Sequence, residues 1–160
     1  MGIIYTGVFQ AVAATAAQDL FELTAPALRS VIIREVKITQ STEIGDAQSE
    51  MLRFALKRAT SASTSGSGGS AVTPLSNPRG ITYGGTLEAN NTTRVTGGTI
   101  EVLEEADEHI ANGFQYLPGT DTSIPHEIEG AMRFIVGLES TPTDSITISG
   151  YIRFEVIGGI

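Results

Sequence analysis

The chain has 160 residues, no Cys, no Trp, 18 Gly and a formal charge of −8. That length favours one domain with a core of useful size, and the missing cysteines exclude disulfides, thiol chemistry and thiolate metal sites. The acidic balance argues against nucleic acid held by phosphate contacts.

No apolar run approaches the roughly 18 residues of a membrane span. The opening Met1-Gly2-Ile3-Ile4-Tyr5 lacks the basic and apolar regions of a secretion signal. Neither nucleic acid nor membrane is therefore an expected partner. The charge is uneven: residues 1–80 carry 7 basic and 6 acidic side chains, residues 81–160 carry 3 and 12. Such a split marks either one acidic face or two unlike surfaces.

Taken in chain order, the elements are short and extended. Ile3–Val12 and Leu20–Ala25 read as strands. Between them Ala11–Gln18 (AVAATAAQ) is rich in the best helix former, with Asp19 as a possible cap, and reads as a strand entering a turn, with a short helix as the alternative. In Val31–Gln40 the pair Val36 and Ile38 alternates with Glu35, Lys37 and Thr39. In Met51–Arg58, Leu52, Phe54 and Leu56 oppose Arg53, Ala55 and Lys57.

Residues 59–80 (ATSASTSGSGGSAVTPLSNPRG) hold six Ser, four Gly and a single charge, Arg79. An irregular segment of this length within a domain needs something to hold it, and a neighbouring subunit is the expected partner. Tyr83–Gly98 carries Gly84-Gly85, Asn90-Asn91 and Gly97-Gly98, so hairpin turns are expected.

Thr99–Leu103 and Gly113–Leu117 are further strands. Ala131–Leu138 sets Met132, Phe134, Val136 and Leu138 against Arg133 and Ile135. In Ser145–Ile157, Ile146, Ile148, Ile152, Phe154 and Val156 share one face, with Gly150 among them, where a missing side chain signals a bend or a close crossing. About eight such strands without a helical crossover predict a single all-β domain over 1–160, an antiparallel β-sandwich with 59–80 as a long Ser/Gly-rich loop. Phe54, Phe134 and Phe154 are expected in one core.

Chemistry is sparse. His109 and His126 lie in no metal or triad pattern and read as exposed loop histidines. Neither Ser67 nor Ser70 sits in a G-x-S-x-G elbow, and Gly66–Gly69 lacks the Gly-Lys-Ser/Thr of a phosphate loop. Glu127 with Glu129, or Glu101, Glu104 and Glu105, are the carboxylate groupings a glycosidase would need, yet no Trp offers a sugar platform. Asp121, Asp144 and the acidic run 101–108 are oxygen ligands for weak Ca²⁺ binding, but no calcium-loop motif surrounds them. No catalytic, cofactor-binding or metal residues are assigned, and no cofactor is expected.

Four phrases are familiar: Thr15–Leu23 (TAAQDLFEL) followed by Ala25-Pro26, Thr64–Ser70 (TSGSGGS), Gly84–Thr93 (GGTLEANNTT) and Ser149–Gly159 (SGYIRFEVIGG). They resemble a family of small proteins encoded among tailed-bacteriophage structural genes. The resemblance implies a non-catalytic virion component made in the host cytoplasm. It points foremost to a capsid decoration (cement) protein with a jelly-roll-like sandwich, a dimer or trimer on the capsid exterior that braces the major capsid protein. Alternatives are a head-fibre base, a tail-associated protein, or a carbohydrate-binding sandwich for host attachment using Tyr5, Tyr83, Tyr116 or Tyr151.

Overall fold

The computed structural model describes residues 2–42, 49–118 and 125–158. Asp121, weighed above as a calcium ligand, and the terminal residues Met1, Gly159 and Ile160 lie outside them. Twelve strands are described: β1 (Ile3–Ala14), β2 (Gln18–Thr24), β3 (Ser30–Gln40), β4 (Met51–Ala59), β5 (Ser70–Ala71), β6 (Leu75–Asn77), β7 (Thr86–Asn91), β8 (Ile100–His109), β9 (Phe114–Tyr116), β10 (Glu127–Glu129), β11 (Arg133–Leu138) and β12 (Ile146–Ile157). They form two antiparallel sheets. The first runs β10-β3-β12-β1-β6, with β9 also paired to β3; the second runs β5-β7-β2-β11-β4-β8.

The pairing has a simple logic. β1 pairs with β12, β2 with β11, β3 with β10 and β4 with β8. The chain is thus one long hairpin, with arms Ile3–Ala59 and Ile100–Ile157, and successive strands switch sheets as the hairpin rolls up, apart from β9 and β10, which both pair with β3 in the first sheet. Further pairing of β12 with β3 and β11 with β4 closes two Greek keys, the jelly-roll arrangement. Residues 60–99 are the tip of this hairpin.

Side-chain alternation decides which face turns inward. β12 alternates buried and half-buried positions almost throughout, and Ile146, Ile148, Ile152, Phe154 and Val156 are all buried. Phe54, Phe134 and Phe154 lie in the same core, at 4%, 0% and 0% exposure. Phe154 stacks on Tyr5 at 5.6 Å between ring centroids, and Phe54 on Phe114 at 5.3 Å. Gly150 marks the close crossing its place in the pattern indicated: a Cβ there would stand 2.7 Å from Ile38 and 2.9 Å from Phe9.

Several local expectations change. Ala11–Gln18 holds no helix; β1 continues to Ala14 through an irregularity where Ala11 takes a positive φ of 51° and its N–H bonds the Ser149 hydroxyl. Asp19 caps nothing and lies inside β2. The stretch 83–98 does hold turns, yet it also contributes β7, which pairs with β2. The eighth strand runs on through the acidic segment to His109.

Candidate functional site

Alternation in β2 breaks down in an informative way. Six of its seven residues are buried, including the polar Gln18, Asp19 and Glu22. An outward-facing carboxylate on a half-exposed sheet would ordinarily stand in water. Here the hairpin tip returns across the outer face of the second sheet as a strap of two strips, residues 59–69 and 92–99. The strips bridge each other at Thr64–Thr96 and Ser67–Thr93, and bury Val95 with Ala59 and Ile135 in a second small apolar cluster. Much of the Ser/Gly-rich loop is therefore held by contacts within its own chain.

Two carboxylates pin the strap. Glu22 is 2% exposed and accepts four hydrogen bonds: from Ser65 (2.7 Å), the Gly66 N–H (2.9 Å), Asn91 (3.0 Å) and Arg133 (3.0 Å). Arg133 also donates to the carbonyl and hydroxyl of Ser63. Gly66 is required here, because a Cβ would lie 2.5 Å from the Thr93 carbonyl oxygen. A buried charge with this many donors is fully compensated and fixes geometry.

Asp19, 1% exposed, anchors the second strip. Its Oδ2 accepts the Val95 N–H at 2.8 Å and its Oδ1 the Arg94 Nε–H at 3.3 Å, with Lys57 Nζ 4.0 Å away. Lys57 in turn lies 2.6 Å from Glu139, which also pairs with Arg94. The four formal charges cancel. Burial nevertheless pushes Asp19 above the ordinary carboxylate range, since its partners offset only part of the desolvation. Glu139 goes the other way: burial raises it, but hydrogen bonds from Lys57 and Arg94 outweigh that and hold it low.

Neither histidine is the exposed loop residue expected. His126 stacks on Tyr116 at 5.0 Å and bonds Glu104 at 2.9 Å, with its side chain 17% exposed. His109 is half-buried at the end of β8, 2.8 Å from Ser49. Its Nδ1 accepts the Ala111 N–H, so neutral His109 carries its proton on Nε2 and donates to Ser49; it is not placed to take a proton from that hydroxyl.

The acidic groupings are spread along strands. Glu101 pairs with Arg58, Glu105 and Asp107 with Arg53, and Glu104 with His126. Glu127 and Glu129 flank buried Ile128 on β10, both exposed. Among the described residues no three His, Asp or Glu side chains gather as metal ligands, and no helix is long and apolar enough to cross a membrane. The tyrosines share no concave surface: Tyr5, Tyr83 and Tyr116 are buried, while Tyr151 lies on the outer face of the first sheet under Arg153.

What distinguishes the surface is a contrast between the sandwich's two sides. β8 forms one edge and carries Glu101, Glu104, Glu105, Asp107 and Glu108, alongside the exposed Ile100 and Val102. The opposite side, where β6 and β5 end the two sheets, exposes Ile4, Val8, Leu75 (73% exposed) and Ile81. Two open clefts of about 620 and 830 Å³ lie there, sharing Ala71, Val72 and Thr73, and Arg79 is the one charged residue lining either. No protein-family model, curated protein or solved structure matches the chain.

Sequence reasoning missed Glu22, Arg133, Lys57, Arg94 and Glu139. A faint signal was present: Glu22 and Arg133 interrupt the apolar runs Leu20–Leu23 and Met132–Val136, and Lys57 is one of only two lysines.

Proposed function

We propose that the protein is a non-catalytic structural component of a tailed-phage virion. The reading favoured is a capsid decoration (cement) protein that binds the outer surface of the major capsid lattice as a dimer or trimer and stabilises it. The observation that carries this reading is the sidedness of the sandwich. A brick that docks on a protein lattice needs one desolvatable surface, and the side bearing Ile4, Val8, Leu75 and Ile81 combines exposed hydrophobics with uncharged polar residues, Arg79 being the one charge that lines its clefts. The acidic β8 edge opposite would then face solvent, where like charge keeps particles apart and discourages strand addition.

The strap supports the same reading. The buried carboxylates, Asp19 and Glu22, are bonded to backbone and to basic side chains of their own chain, an arrangement suited to rigidity.

The test is binding to capsids assembled without the protein. Leu75→Asp and Val8→Asp are expected to abolish binding, while charge reversal at Glu101, Glu104 and Glu105 leaves it intact; the opposite pattern overturns the assignment of sides. Mass spectrometry of purified particles tests the role itself. A copy number comparable to that of the major capsid protein is expected, whereas a few copies per particle would mean a tail or fibre-base component.

A further inference from the structure

Lys57, Asp19 and Glu139 do more than cancel charge. Lys57 projects from β4 and Asp19 from β2, two strands separated by β11. The residue of β11 opposite Asp19 is Gly137. Its missing side chain opens the space between them: a Cβ there would lie 2.2 Å from Glu139 Oε1, 3.2 Å from Lys57 Nζ and 3.3 Å from the Arg94 guanidinium. An amine, a carboxyl and a second carboxylate thus meet over one glycine, the first two on strands paired with β11 and Glu139 just past the end of β11.

We propose that Lys57 and Asp19 join through a spontaneous intramolecular amide (isopeptide) bond, with Glu139 as the proton acceptor. Lys57 Nζ, 2.6 Å from Glu139, passes it a proton and becomes a neutral amine. The amine attacks Cγ of Asp19 in its acid form. Charge developing on Oδ2 meets the Val95 N–H already 2.8 Å away, and Arg94 Nε stands 3.3 Å from Oδ1. As the new C–N bond forms, the C–Oδ1 bond breaks; the oxygen leaves as water with the acid proton and one amine proton. Glu139 ends protonated, the amide keeps one hydrogen, and no oxidant or reductant is consumed.

The environments assign these roles. Asp19 is pushed toward its acid form by burial and Glu139 is held ionised by its cations, the divergence between neighbouring carboxyls that separates electrophile from base. The bond would tie β2 to β4 across β11 and fix the floor beneath the second strip of the strap. It depends on this cluster alone, whatever surface the protein binds.

Intact mass of the denatured wild-type chain decides the matter. The expected mass is lower than that of the sequence by one water, and tryptic digestion should yield a branched peptide joining the segments around Asp19 and Lys57, uncleaved after Lys57. Lys57→Arg and E139Q should restore the full mass. A wild-type chain at full mass overturns the proposal and leaves the cluster as ion pairs only. A water loss that persists in Lys57→Arg overturns it equally, because dehydration would then lie elsewhere.

Discussion

The two outer faces of this sandwich use the same ion pairs in opposite settings. On the second sheet Arg133 meets Glu22 beneath the strap, with side chains 16% and 2% exposed. On the first sheet Arg153 pairs with Glu35 and Arg34 with Glu155, and both arginines are more than two-fifths exposed. Water competes for the second set and is excluded from the first. A pair in water contributes little and is screened, whereas a covered pair is a geometric commitment that becomes costly once one partner is lost. One face thus holds the protein's own hairpin tip and the other remains open.

The strongest way to break this comparison is Arg133→Ala. It leaves the Glu22 carboxylate buried without its cation and should cost about 3–5 kcal/mol in urea unfolding. Hydrogen exchange should quicken first in residues 60–69, because Arg133 also holds Ser63. Gly137→Ala comes next, at about 1–2 kcal/mol: the new methyl must displace Glu139, and the far end of a side chain yields more cheaply than backbone.

On the open face Arg153→Ala should cost only about 0.2–1 kcal/mol, and moderate salt should shrink even that. The smallest expected effect is a change of slope with pH. The hydrogen bond from Arg34 holds Glu155 below the ordinary carboxylate value, despite some burial. Its contribution is therefore present above the unfolded-chain value and lost as pH falls through the folded one. Glu155→Gln should flatten stability against pH in that acid window, leaving stability slightly lower near neutrality and converging with the wild type once both are acidified. If the open-face variants cost as much as Arg133→Ala, the distinction between the faces fails.

Much of the fold was legible because the rolled-up strands are mostly half-buried, and half-burial writes itself as alternation. β12 is the clearest instance: its five inward hydrophobics occupy one face both in the sequence and in the packed sandwich. β2 is the counter-example. Its outer face is covered, so Asp19 and Glu22 look like solvent-facing residues of an ordinary strand while being almost wholly buried. β7 was obscured by the Gly84-Gly85 pair before it and by Asn90-Asn91 at its end, residue types that mark turns whether or not a strand holds them. The histidines were misread for the same reason as β2, since no local pattern shows that Tyr116 will stack on His126 from another strand.

By itself the sequence determined the all-β class, the inward faces of the principal strands and the concentration of negative charge in residues 81–160. Those properties follow from local periodicity and composition, which every residue carries with it. Only the tertiary structure decided that residues 60–69 and 92–99 fold back as a strap and that Glu22 and Asp19 become its anchors. It alone brought Lys57 to Asp19 across Gly137, and set an apolar side opposite an acidic edge. These are contacts between residues far apart in the chain, and they exist only once the long hairpin has rolled its arms together.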